Sequence, residues 1–260
     1  MRVLPWLLLL LGAFLAPPAR AAEDEAATRY AQAVQAYREG DAATAANVWR
    51  RLYRTGAPGL DPAALAFDLG NAAYRLGRPL EAALWFEASV RHAPRDVDAW
   101  ANLELARERA GLPPADRGDL ADTLARLLHA LTLAEAEWLL VLSALALALA
   151  LAGRLWWGGA ALRRATWALG ALTLLALLPW AANLRRAGEP TWAVVERGGA
   201  ELASEPRDDA PRVGRLEPGQ RVEHVDALPG WVRVRAGERL SGWIDEDAVR
   251  DFGHAVADPR

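Results

Sequence analysis

The chain contains no cysteine and no lysine; all 30 of its basic residues are arginine. Without cysteine there is no disulfide, no zinc–thiolate site and no thiol chemistry, so every folded domain must hold by core packing. The four histidines, His92, His129, His224 and His254, are isolated, with no His-x-x-x-His or His/carboxylate grouping of metal-ligand spacing. There is no Gly-x-Ser-x-Gly and no phosphate-cradling Gly-rich loop. The acidic clusters Asp208-Asp209 and Asp245-Glu246-Asp247 fall in turn-like context and read as solvated turns. The sequence therefore predicts no enzyme, no catalytic residue, no metal and no cofactor. An excess of charge of either sign is also missing: the net charge of −3 leaves no basic surplus for nucleic acid.

Long apolar runs, by contrast, are present. Residues 138–153 and 165–184 are apolar on all faces, and about 20 such residues cross a bilayer. The second run suffices alone; the first does so once Leu155, Trp156 and Trp157 are counted. Thr132 and Glu135 form a capping box ahead of the first run. The spacing predicts a transmembrane helix over 132–157, a loop over 158–164 and a second transmembrane helix over 165–184. The alternative, a buried hairpin of a globular core, fits less well because a surface helix keeps a polar face. Arg2, an apolar run to Ala16 and Ala19-Arg20-Ala21 read as a secretory signal over 1–21. With Arg154, Arg163 and Arg164 around the loop, the positive-inside rule puts that loop in the cytoplasm and both termini outside, although Arg185 and Arg186 pull the other way. The expected location is the bacterial inner membrane with both termini periplasmic.

The segment 22–114 carries an internal repeat. Residues 63–96 hold Leu69-Gly70, Tyr74, Gly77, Ala82, Phe86 and Pro94 at the spacings of a tetratricopeptide repeat. Residues 26–59 repeat the frame: Tyr37, Gly40, Ala45 and Trp49 fall where Tyr74, Gly77, Ala82 and Phe86 fall. A half repeat over 97–112, with Trp100, Leu103 and Gly111, would cap the stack. Small residues belong where paired helices cross, and the glycines where they turn. The first helices would line an inner face with Tyr30, Tyr37, Arg38, Phe67, Asn71, Tyr74 and Arg75, then Asp98, Leu105 and Arg109. Aromatic residues, arginines and an asparagine suit a peptide groove, so Tyr37, Arg38, Phe67, Asn71, Tyr74 and Arg75 are the candidate partner-binding residues. A connector follows over 115–131, where Leu120, Leu124, Leu127, Leu128 and Leu131 mark an amphipathic helix. Its pattern suits either the bilayer surface or a cap on the repeats.

Beyond Thr191 the texture changes to short β-rich runs at 192–196, 201–204, 213–216, 221–226, 231–235 and 239–244, separated by turns such as Glu217-Pro218-Gly219-Gln220. About 60 residues with five or six strands predict a small barrel. The order Ala193-Val194-Val195, Leu216-x-x-Gly219, Gly230-Trp231-Val232 and Gly242-Trp243-Ile244 over 190–252 resembles the bacterial SH3 family. Trp192, Trp231 and Trp243 are its candidate ligand surface.

The fold expected is thus a multidomain membrane protein: an all-α tetratricopeptide solenoid, a two-helix transmembrane hairpin and a small all-β SH3-like barrel. That order resembles the E-protein family of the aerotolerance (Bat) operons. The residues that carry the likeness are Leu65-Ala66-Phe67-Asp68-Leu69-Gly70-Asn71-Ala72-Ala73-Tyr74 and Leu131-Thr132-Leu133-Ala134-Glu135-Ala136-Glu137-Trp138. Ala73 departs from the repeat pattern, which usually has an aromatic there. The resemblance implies work beside von Willebrand A-type membrane proteins and a MoxR-type ATPase. It favours an assembly scaffold; a peptidoglycan-binding envelope sensor is the alternative.

Overall fold

The computed structural model describes residues 17–115, 120–196, 198–237 and 240–253. Residues 1–16 of the expected leader, Arg239 of the expected sixth strand, and His254 lie outside the described residues. The chain divides into two compact units: one joins the helical half to the carboxy-terminal sheet, and the other contains the hairpin and its connector.

The helical half has α1 (Pro17–Arg38), α2 (Ala42–Arg54), α3 (Pro62–Arg75), α4 (Pro79–His92) and α5 (Val97–Ala110). Each packs on its successor. Local chemistry sets the starts: Asp41, Asp61 and Asp96 accept from backbone amides of α2, α3 and α5, each with a shortest bond of 2.9 Å. Pro62 occupies the first turn of α3, where its missing N–H costs nothing. The two expected frames have matching roles. Gly40 and Gly77 sit in turns at φ 96° and 72°, a region favourable only to glycine. Ala45 and Ala82 are fully buried, as are Trp49 and Phe86. Gly70 is buried beneath Phe86, and a Cβ there would lie 2.5 Å from that ring. Small residues therefore stand where helices cross closely.

The sheet comprises β1 (Trp192–Val194), β2 (Ala200–Ala203), β3 (Arg212–Leu216), β4 (Arg221–Leu228), β5 (Trp231–Ala236), β6 (Leu240–Asp245) and β7 (Val249–Asp251). It is antiparallel, in the order β3-β2-β6-β5-β4-β1-β7. Alternation sets its faces: Val232 and Val234 turn into a core with Val194, Leu202, Leu216, Val222 and Ile244, while Arg233 and Arg235 stay exposed. The strand β7 has no counterpart in the sequence reading. Three residues are too few to show a period, and its partner, β1, lies far away in sequence.

In the second unit, α6 (Leu120–Leu128) is followed by α7 (Leu133–Trp156) and α8 (Ala160–Ala187). Thr132 and Glu135 make the capping box: the Thr132 hydroxyl accepts from the Glu135 amide at 3.2 Å, and the Glu135 carboxylate accepts from the Thr132 amide at 2.9 Å. Both helices are long and apolar enough to cross a membrane, with mean hydropathy 2.1 and 1.6 over their apolar windows. Only 6% of each window is buried, which separates them from the core helices of a globular protein. The hydroxyls of Ser143, Thr166 and Thr173 are satisfied within their own helices, donating to the carbonyls of Leu140, Leu162 and Leu169. The turn is shorter than expected. Gly158 and Gly159, at φ 59° and 103°, suffice to reverse the chain, so Arg154 lies in the last turn of α7 and Arg163 and Arg164 in the first turns of α8.

Candidate interaction surfaces

Three surfaces of the first unit gather polar and aromatic side chains. On the first-helix face, Tyr37 and Arg75 come together across the repeats. The Arg75 guanidinium lies 4.2 Å from the Tyr37 ring centroid and donates to the Tyr37 carbonyl at 2.8 Å. Tyr37 in turn rests on buried Trp49, with ring centroids 5.5 Å apart. Arg75 is thereby held in place rather than waving in solvent. Arg38 is exposed, and Tyr74 is half-buried. Phe67 is drawn toward the core, edge-on to Phe86 at 5.7 Å. Asn71, half-buried on α3, has no side-chain hydrogen-bond partner among the described residues. Of the α5 residues, Asp98, Leu105 and Arg109 are exposed.

The same face contains a pair that sequence reading left unmatched. The Tyr30 hydroxyl donates to Asp68 Oδ2 at 2.7 Å. Burial, then the bond and charge of Asp68, push the Tyr30 hydroxyl up to about 12. Burial likewise raises the Asp68 carboxyl above its ordinary range, and the Tyr30 bond opposes that rise. Tyr30→Phe should cost about 1–2 kcal/mol near neutral pH, because a half-buried carboxylate loses its donor. With its folded pKa raised, Asp68 favours folding when protonated, and its ionised form weighs against folding as pH rises. The cost of the substitution should therefore be smaller at an acidic pH, below that raised pKa, than at neutral pH. Thermal unfolding of the detergent-solubilised chain at both pH values checks this; an equal deficit at both would disprove the pairing.

On the sheet, the three tryptophans diverge. Trp192 packs against the sheet core and stacks on His224, with centroids 4.8 Å apart. Trp231 and Trp243 lie on the opposite face, where Trp243 pairs directly with Arg233 in the β5–β6 register. They form two sites rather than one tri-tryptophan surface.

The third surface is a seam between α2, α4 and the sheet, which the sequence reading missed. Glu81, 3% exposed, meets three arginines: Arg50 at 3.1 Å, Arg78 at 3.5 Å and Arg250 of β7 at 3.3 Å. Burial lowers the Arg50 pKa, and Glu81 opposes that. Beside this knot, Glu87 pairs with Arg91 at 3.0 Å and with Arg221 of β4 at 3.3 Å. Phe252, just past β7, lies 4.7 Å from Trp85 between ring centroids, and its carbonyl accepts from the Tyr53 hydroxyl at 3.5 Å. A cavity of about 420 Å³ opens on the seam, lined by Arg78, Leu80, Glu81, Val195, Asp247 and Arg250 among others. One signal was available in sequence. The unbroken run Ala82-Ala83-Leu84-Trp85-Phe86 makes the middle of α4 apolar on every side, and a helical stretch apolar all round is buried.

Comparison with protein-family models, curated proteins and solved structures finds nothing similar to this chain. The functional reading therefore rests on its own residues and on the family resemblance that they carry.

Proposed function

We propose that the protein is a non-catalytic scaffold of the bacterial inner membrane, a tetratricopeptide solenoid and an SH3-like barrel held by a membrane hairpin. On this reading it belongs with the E proteins of the aerotolerance operons. It assembles von Willebrand A-type membrane proteins linked to a MoxR-type ATPase. The observation that carries it is the pairing on the first-helix face: a fixed cation, Arg75 on Tyr37, one helical turn from the unpartnered Asn71 amide. Asn71 can bond the backbone of an extended peptide while Arg75 meets an acidic group, and such charge-assisted bonds are directional.

Asn71→Ala combined with Arg75→Ala should weaken co-purification of a co-expressed von Willebrand A-type partner at least about tenfold. That follows because losing a charge-assisted hydrogen bond costs about 1.5–3 kcal/mol. Fold stability should change by only about 1 kcal/mol, since what is lost is an exposed cation–π contact and one exposed hydrogen bond to the Tyr37 carbonyl. Trp231 and Trp243, half-buried on one side of the sheet beside Arg233, favour a second reading in which the barrel grips peptidoglycan. If the Asn71/Arg75 variant keeps its partner while Trp231→Ala with Trp243→Ala abolishes binding to purified sacculi, the second reading replaces the first.

The orientation follows from the arginines around the turn, with both soluble segments periplasmic. A reporter fused after Gly158 should be active only in the cytoplasm, and one fused after Arg260 only in the periplasm. The reverse pattern would invert the protein and exclude peptidoglycan as a ligand.

A further inference from the structure

The connector helix α6 carries Leu120, Leu124, Leu127 and Leu128 on one side, with Leu131 continuing the stripe past its end. In the structure this stripe is not consumed by packing: Leu120, Leu124 and Leu127 are 85%, 53% and 70% exposed. What α6 does possess is a fixed attachment to α8. Asn183, buried near the end of that helix, shares its amide N–H groups between the carbonyls of Leu128 at 3.3 Å and Leu131 at 3.2 Å, and with its own-turn carbonyl of Pro179 at 2.9 Å. Its Oδ1 faces Nδ1 of His129 at 3.2 Å and accepts from it in the tautomer that protonates that nitrogen. Asn183 thus satisfies carbonyls that the end of α6 would otherwise leave orphaned.

The depth of this attachment is set by α8. The 20 residues between Arg164 and Arg185 rise about 30 Å, the thickness of the hydrocarbon core. Arg185 and Arg186 mark the polar boundary, and Asn183 lies about 3 Å inside it along the helix. Trp180, one turn deeper, and Trp138 near the start of α7 have the side chains enriched at membrane interfaces. The carboxyl end of α6 is therefore tied at headgroup level, where its exposed leucines continue the exposed apolar surface of α7 and α8.

We propose that α6 is an in-plane membrane helix, its leucine stripe seated in the lipid of the bilayer that α7 and α8 span and its opposite side, with Arg126, toward water. Such helices bury their apolar side about 5–10 Å into the headgroup–acyl boundary. The inference rests on α7 and α8 spanning the membrane. It adds a third membrane contact, one that holds the chain between the repeats and the first span along the membrane surface.

The cysteine-free sequence permits a direct test in the full chain reconstituted into lipid nanodiscs. An environment-sensitive fluorophore is placed at Leu124→Cys, Leu127→Cys, Arg126→Cys or, midway along α7, Leu145→Cys. Nitroxide lipids labelled high on the acyl chain should quench Leu124 and Leu127 more than lipids labelled near the chain terminus. Leu145 should show the opposite order, and Arg126 should instead be quenched by aqueous iodide. If Leu145 is quenched but Leu124 and Leu127 respond to neither nitroxide, protein or water covers the stripe and the proposal is overturned. If Leu145 also fails to respond, the spanning helices fall with it.

Discussion

Glu81→Ala should lower the stability of the helix–sheet unit by about 3 kcal/mol, near the low end for removing one partner of a buried ion pair. The physical reason is the asymmetry of the knot. One nearly buried carboxylate serves three guanidinium groups; Arg50 and Arg250 have side chains only 19% and 27% exposed, so their charges cannot turn freely to water. Arg78, at 55%, can. Glu81→Gln should cost less, because its carbonyl still accepts from Arg50. At roughly 2–4 °C per kcal/mol for a unit of this size, the alanine variant should melt about 6–12 °C lower. Tryptophan fluorescence of the detergent-solubilised protein would record it, and a midpoint matching the wild type would show that the knot does not form.

Trp85→Ala should be at least as damaging, costing about 3–5 kcal/mol. Trp85 is fully buried, edge-on to Tyr53 at 5.4 Å between centroids and against Phe252 at 4.7 Å. Truncation opens a cavity whose walls come from two helices and the end of the sheet, so it cannot collapse by moving any one of them. Trp85→Phe separates packing from polarity. The indole Nε1 has no hydrogen-bond partner among the described residues, so phenylalanine removes an unsatisfied buried donor while keeping most of the contact. A change below about 1 kcal/mol is expected for it. Proteolysis of the two variants distinguishes them further: the alanine form should release the sheet from the helices, and the phenylalanine form should not. Equal resistance in both would mean that Trp85 does not join the two parts.

The elements that sequence reading placed well are those whose determinants lie close together in the chain. The capping box spans four residues and is present as written. Ala45 with Trp49 and Ala82 with Phe86 are buried, as the repeat frames require. The strands β5 and β6 alternate clearly enough to be found, and β4 is marked by the turns on either side of it. The helices α7 and α8 stand out because a run of about 20 apolar residues needs no tertiary partner to be recognised. Among the candidate site residues, Tyr37 of α1 and Arg75 of α3 meet, as their placing on one expected face implied. Their direct stacking could not be read, since rotamers respond to neighbours and not to spacing. Trp192 and Trp231 look equivalent as strand-opening tryptophans, yet one packs on the sheet core and stacks on His224 while the other faces outward.

By itself, the sequence determined the paired helices, their caps and small crossing residues, the apolar hairpin and most of the strands, because these follow from periodicity and backbone chemistry within a few turns. Only the tertiary structure decided that helices and sheet form one unit across the intervening hairpin. Glu81 meets Arg250, and Trp85 meets Phe252, over separations of more than 160 residues. A buried charge is tolerable only where its partners converge, and convergence over such distances leaves no local pattern. The strand β7 and the tie between Asn183 and the end of α6 belong to the same class: each is a short polar or extended segment whose backbone groups are satisfied from elsewhere in the chain.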